Sequence, residues 1–88
     1  MTYTVVVKRA TDGRYAVSVP ALNGLATEGN TLPRALRMAE EAIPAYIEGL
    51  QAVGQEPPSD PEQVAVELGE SAEAALYRIT VDEAMAVA

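Results

Sequence analysis

Alternation of apolar and polar residues in the first third of the chain predicts a β-hairpin. Tyr3–Arg9 is rich in β-branched residues, and Tyr15–Val19 places its larger apolar side chains on one face. Asp12 and Gly13 lie between these runs, and this dipeptide is typical of hairpin turns because glycine adopts a positive φ at little cost. The core-facing side of the first strand stays open between two sets: Tyr3, Val5 and Val7, or Thr4, Val6 and Lys8.

A longer periodic segment predicts a helix from residue 32 to residue 53. Asn30 or Thr31 is the expected N-cap, because either side chain can accept a hydrogen bond from a free helical N–H. Pro44 is expected on the polar face, where it bends the helix. The apolar residues recur every three or four positions and share one face: Leu32, Ala35, Leu36, Ala39, Ile43, Tyr46, Ile47, Leu50 and Val53. The polar face holds Arg34, Arg37, Glu41, Glu48 and Gln51.

The remaining segments complete the predicted order of elements. Leu25–Glu28 is a short third strand, and the proline-rich Gln55–Pro61 is an extended crossover. Gln63–Leu68 is predicted as the fourth strand, and the alternation in Leu76–Val81 could add one more. Asp82–Ala88 is either a helical turn or a frayed end. The sequence therefore predicts an α+β fold of order β-β-β-α-β, a small twisted antiparallel sheet with one long helix on one face.

Length and composition limit the number of domains and the kinds of functional site that the chain can have. The 88 residues predict a single domain over 1–88, with a core at 3–68 and an acidic C-terminal extension at 69–88. The chain has no cysteine and no histidine, which excludes disulfides, thiolate zinc sites and histidine bases. No metal and no cofactor are expected. Because a small domain without disulfides often gains stability by oligomerising, we expect a homo-oligomer, a dimer or a tetramer.

The charge is negative and unevenly distributed. The net charge is −7, and residues 54–88 carry one arginine against eight acidic residues. An acidic surface repels phosphates, which disfavours nucleic-acid binding, and it attracts basic proteins. Solubility alone is the alternative explanation. No stretch is long and apolar enough to span a bilayer and the N-terminus lacks the features of a secretory signal, so a cytoplasmic location is expected.

Side chains that could support catalysis are scattered. Asp12 lies in the hairpin turn, Glu28 lies near a strand end, and the adjacent Glu40 and Glu41 point in different directions from a helix. Ser18 has no histidine to activate it. We therefore expect no enzymatic activity.

One ordered set of short motifs resembles the HicB-like antitoxin family over residues 3–58. The matching positions are Asp12-Gly13, Tyr15-x-Val17-x-Val19-Pro20, Leu22-x-Gly24, Thr27-x-Gly29-Asn30-Thr31-Leu32, then Ala35-Leu36 and Ala39, and finally "GQEPP" at the end of the helix. The resemblance implies a truncated RNase H-like fold. It also implies that the chain binds and neutralises a HicA-type toxin, a small basic protein that cleaves mRNA.

Loop position and this resemblance suggest four partner-binding residues: Tyr15, Leu22, Asn23 and Glu28. For Leu22 a buried position under the helix is the alternative. Members of the family often carry a C-terminal DNA-binding module, and the residues after Pro61 are too few for a complete helix-turn-helix. Two alternatives therefore stay open. The chain could be an orphan homo-oligomeric domain without a toxin, or an autorepressor that binds operator DNA through a ribbon at Leu76–Val81.

Overall fold

A four-stranded antiparallel sheet carries one long helix in this computed structural model, which describes residues 1–23, 25–66 and 73–81. The elements follow in the order β1 (Thr2–Arg9), β2 (Tyr15–Val19), β3 (Leu25–Gly29), α1 (Leu32–Ala52) and β4 (Glu73–Thr80). The strands lie side by side in the order β3-β2-β1-β4, and all neighbours are antiparallel. This confirms the α+β fold with the order β-β-β-α-β.

The core lies between α1 and one face of the sheet. Tyr3, Val5 and Val7 of β1 belong to it, which settles the question that the sequence left open. Val17 and Val19 of β2 lie beside them, because residues two apart on a strand share a face. The helix adds its four most buried apolar side chains, Ala35, Ala39, Ile43 and Ile47.

The hairpin between β1 and β2 closes as its sequence predicts. Gly13 adopts a φ of 89°, and its N–H donates to the Ala10 carbonyl at 2.9 Å. The Asp12 carboxylate accepts a hydrogen bond from the Arg14 N–H at 3.0 Å, so the aspartate acts as a turn residue. The turn fixes the register in which Val7 lies opposite Val17.

Both ends of α1 are capped by local hydrogen bonds. The Thr31 hydroxyl accepts from the Arg34 N–H at 3.3 Å, which confirms one of the two predicted N-caps. At the other end Gly54 has a φ of 77°, and the Gln55 N–H donates to the Leu50 carbonyl at 2.9 Å. This pairing is a Schellman motif, in which glycine supplies the left-handed residue.

Two predictions about the helix are wrong. Pro44 is buried within one continuous helix rather than lying on its polar face. It follows Ile43 and precedes Ile47 by three positions, so it lies at the border of the apolar face. Val53 is 70% exposed and forms the C-cap outside the helix, so it does not extend the apolar face.

The fourth strand lies later in the chain than predicted. Residues 63–66 form no strand, residues 67 and 68 lie outside the described part, and β4 instead occupies Glu73–Thr80. Ile79 and Val81 belong to the hydrophobic core. The predicted boundary of the core at residue 68 is therefore wrong, because alternation alone does not tell which of two short runs pairs with β1. The prediction for 82–88 also lies outside the described residues.

Candidate functional site

Two of the four predicted partner-binding residues lie near one end of the sheet. Tyr15 begins β2, and its half-buried side chain packs against the core. Glu28 lies exposed on β3, where its Oε1 is 2.9 Å from an Arg14 guanidinium nitrogen. An ion pair as exposed as this contributes about 0.2–1 kcal/mol, so it leaves both side chains available to a partner.

The prediction that Leu22 contacts a partner is wrong. Its side chain is fully buried, so it belongs to the core and cannot contact a partner in the folded chain. A short 3₁₀ turn over Pro20–Leu22 turns this side chain under α1. Asn23 follows in the left-handed conformation, with a φ of 51°, and is exposed.

The predicted residues do not form one surface. Tyr15 and Glu28 lie at the start of β2 and the end of β3, whereas Asn23 follows the end of β2. The five residues of β2 separate them by about 13 Å or more. A single partner that contacted all of them would have to cover the whole length of the strand.

A second structured region forms where the segment after α1 meets β1. The Tyr3 hydroxyl donates to the Pro58 carbonyl at 2.7 Å. The Asp60 carboxylate accepts two hydrogen bonds from Thr4, one from its N–H at 2.8 Å and one from its hydroxyl at 2.7 Å. β2 pairs only with the second half of β1, so Asp60 satisfies a backbone N–H that no strand reaches. We call Pro58–Asp60 the strap.

Burial and charge in the strap region affect Tyr3. Burial raises the pKa of the Tyr3 hydroxyl above its usual value, and the nearby negative charge of Asp60 raises it further. The hydroxyl therefore stays protonated and donates to Pro58 throughout the neutral range. This contact is a structural feature of the strap and offers no acid or base for chemistry near pH 7.

Replacing Asp60 with alanine should measure what the strap contributes to stability. The Asp60→Ala variant leaves the Thr4 N–H and hydroxyl without their acceptor, so we expect a loss of about 1–3 kcal/mol in the free energy of unfolding. Urea unfolding followed by circular dichroism measures it. Glu56→Ala, an exposed acid on the same segment, is the matched control. Equal stability of the two variants would contradict the assigned contacts.

The described residues hold no group of three or more His, Cys, Asp or Glu side chains that could bind a metal ion. Within the same residues, no helix has both the length and the apolar composition needed to cross a membrane. These residues present an exposed surface of uneven charge, which is the candidate site.

The most distinctive part of that surface is on the outside of α1. No lysine or arginine occurs from Met38 to Tyr77, and only Glu40 and Glu41, three and four residues after Arg37, have a basic residue within one helical turn. Glu41 and Glu48 are exposed and lie two helical turns apart on the same face, about 10 Å from one another. Met38, three residues before Glu41, lies beside it and is 41% exposed. Arg34 and Arg37 are also exposed on this face, toward the start of the helix. We call Met38, Glu41 and Glu48 the acidic helix surface.

Sequence reasoning placed Glu41 and Glu48 on the polar face without assigning them a role. The signal that could have singled them out is the long stretch without lysine or arginine, which begins immediately after Arg37. An exposed acidic stripe with one exposed apolar side chain fits a basic partner, because opposite charge steers association and apolar contact adds affinity.

Comparison with known proteins agrees with this fold. A family model described as "HicB_like antitoxin of bacterial toxin-antitoxin system" matches residues 3–86. The chain belongs to the HicB-like antitoxin family. Membership of this family gives the chain an antitoxin role in a bacterial toxin–antitoxin system. The match extends beyond the segment over which the sequence motifs were recognised and includes β4.

Two curated relatives are UPF0150 proteins. One from Thermoplasma acidophilum is 47% identical over 60 residues, which are 68% of this chain and 87% of that protein. One from Synechocystis is 38% identical over 58 residues, which are 66% of this chain and 73% of that protein. Both relatives are therefore comparable to this chain in length.

Solved structures show the same architecture. The N-terminal domain of the Burkholderia pseudomallei antitoxin HicB superposes with a TM-score of 0.66 at 26% identity, over 93% of this chain and 99% of that domain. The longer antitoxin HicB structure from the same organism gives a TM-score of 0.70 at 25% identity. That comparison covers 97% of this chain and 66% of the longer protein. The present chain thus corresponds to the N-terminal domain of that antitoxin.

Proposed function

We propose that this HicB-like chain binds and neutralises a small basic toxin of the HicA type that cleaves mRNA. The observation that carries the proposal is the family match over residues 3–86, supported by the fold shared with the N-terminal domain of an antitoxin HicB. The net charge of −7 has the sign that a basic toxin requires. The antitoxin acts by covering the toxin's RNA-cleaving surface and performs no catalytic step itself. Its place of action is the cytoplasm, where mRNA is found.

The acidic helix surface is the proposed docking site for the toxin. Glu41 and Glu48 would pair with lysine or arginine side chains of the toxin, and the exposed Met38 would supply an apolar contact. The same surface competes for the toxin with RNA, since both present negative charge to a basic protein. The bound antitoxin thus neutralises the toxin by keeping RNA phosphates away from the toxin's basic surface.

Charge reversal on the helix tests this assignment. The double variant Glu41→Lys/Glu48→Lys should weaken toxin binding by at least about tenfold, because each reversal replaces an attraction with a repulsion. Isothermal titration calorimetry of the purified pair at two salt concentrations measures the change. The binding of the wild-type chain should weaken as salt rises, and that of the variant should depend on salt less steeply.

A matched control carries the same change in net charge at other positions. Glu56→Lys/Glu62→Lys reverses two exposed acids outside α1 and should bind the toxin with an affinity within about threefold of wild type. If both double variants lose binding equally, the toxin responds to overall charge and not to the acidic helix surface. If neither variant loses binding, the surface is wrongly assigned.

The alternatives differ in outcome from the proposal. An orphan homo-oligomeric domain would leave a co-expressed neighbouring toxin fully active. Operator binding through β4 has little support, because the described residues of that strand carry one arginine, Arg78, and one glutamate, Glu73. A gel-shift assay on the upstream DNA at low salt tests operator binding, which predicts a shifted band.

A further inference from the structure

The outer edge of β4 has the features of a strand that pairs with another chain. β4 is eight residues long, lies at one end of the sheet, and has β1 as its only neighbour among the described strands. Unpaired backbone groups along such an edge form a ready template for a further strand. Two large apolar residues, Leu76 and Tyr77, are 53% and 37% exposed on this strand.

The hydrogen bonds of β1 show which backbone groups of β4 point outward. Met1 and Val81 lie opposite one another and exchange two hydrogen bonds. Thr4 lies opposite Arg78, and its N–H points away from β4 and donates to Asp60. Hydrogen-bonded and non-hydrogen-bonded pairs alternate along antiparallel strands, so the odd-numbered residues of β4 bond to β1. The outward N–H and C=O groups therefore belong to the even-numbered residues, Ala74, Leu76, Arg78 and Thr80.

The opposite edge of the sheet lacks these features. β3 has five residues, and the chain leaves it directly for the N-terminus of α1. Gly29 at its end lies against the backbone of Ala35. β4 in contrast contains no proline and no glycine, the residues that usually protect an edge. The two edges differ, and only β4 offers a long uninterrupted strand.

We propose that β4 pairs antiparallel with β4 of a second copy, so that two sheets join into one. A two-fold axis at Leu76 brings the two Leu76 side chains together and places Ala74 opposite Arg78. It also places Tyr77 opposite Ala75, where the ring can cover the smaller side chain. This register forms about six backbone hydrogen bonds between the chains and keeps the two Arg78 side chains apart.

Charge favours a second copy over a basic partner at this edge. The described charges of β4 are Glu73, whose Oε1 lies 2.9 Å from the Arg9 Nε, and Arg78, so the strand is neutral. Two chains that each carry a net charge of −7 repel one another least where they meet along a neutral strand. A basic toxin would gain no attraction there. The inference deepens the homo-oligomer expected from the sequence and does not depend on toxin binding.

Molar mass in solution tests the proposal without any toxin. The chain of 9.3 kDa should elute with twice that mass in light scattering at micromolar concentrations. Leu76→Lys places two positive charges together at the axis and should give a monomer. Leu76→Pro removes one outward N–H without removing a bond to β1 and should do the same. Val53→Lys, at an exposed apolar residue far from β4 in sequence, should remain a dimer.

Amide hydrogen exchange followed by NMR gives a readout at single residues. In the wild-type dimer the Arg78 amide should exchange at least about tenfold more slowly than in the monomeric Leu76→Lys variant. The odd-numbered amides should stay protected in both, since they bond to β1. A monomeric wild type, a dimer that survives both Leu76 variants, or unprotected even-numbered amides in the wild type would each overturn the proposal.

Discussion

Gly29→Ala should destabilise the fold by about 3 kcal/mol or more, although it adds one methyl group. A Cβ on Gly29 would lie 2.8 Å from the Ala35 N and 3.1 Å from the Ala35 Cα. Both atoms belong to the backbone of the first helical turn, so neither can rotate away. The added methyl group has to push α1 away from β3, and the end of β3 and the helix N-cap then lose their shared packing.

Urea unfolding of Gly29→Ala measures this effect, and a second glycine provides the control. Gly49 lies within α1, and a Cβ there would meet nothing within 4 Å. Gly49→Ala should therefore stabilise the chain by about 0.5–1 kcal/mol through higher helix propensity. Opposite signs for the two substitutions would support the close approach of β3 and α1. A Gly29→Ala variant as stable as wild type would contradict it.

Leu22→Ala should cost about 3 kcal/mol in the free energy of unfolding, within the range for truncating a fully buried leucine. Small domains have only about 5–15 kcal/mol of stability, so the variant retains as little as about 2 kcal/mol and should melt roughly 12–24 °C below wild type. Asn23→Gly is the neighbouring control, because glycine accepts the left-handed conformation and Asn23 is exposed.

The result also decides between two roles of Leu22. Loss of toxin binding in Leu22→Ala should follow the loss of folded protein and recover at low temperature, where the variant folds. A variant that is fully folded by circular dichroism but binds no toxin would show that Leu22 contacts the partner, contrary to its burial.

The parts of the fold that sequence predicted correctly have strong local signals. The hairpin depends on Asp12 and Gly13, and the helix depends on a long apolar face with Thr31 at its start. Local hydrogen bonds and periodicity determine these elements almost completely. The position of β4 depends instead on pairing with β1, which is distant in sequence, so two alternating runs were equally plausible strands.

The candidate site was less predictable for a related reason. The sequence left Leu22 open between a buried position and an exposed contact, and its burial depends on how the 3₁₀ turn at Pro20–Leu22 directs it into the core. Asp60 had no visible role, since its partner Thr4 lies on a strand far away in sequence. Exposure and long-range contact are tertiary properties. Of the proposed docking surface, only the charge pattern could be predicted from the sequence.

Growth of cells that express a HicA-type toxin shows directly whether this chain neutralises such a toxin. The toxin is induced alone, with the wild-type chain, and with Glu41→Lys/Glu48→Lys. We expect growth arrest by the toxin alone, recovery of growth with the wild-type chain, and arrest again with the variant at equal protein level. Continued arrest in the presence of soluble wild-type chain would contradict the claim that this HicB-like protein neutralises that toxin.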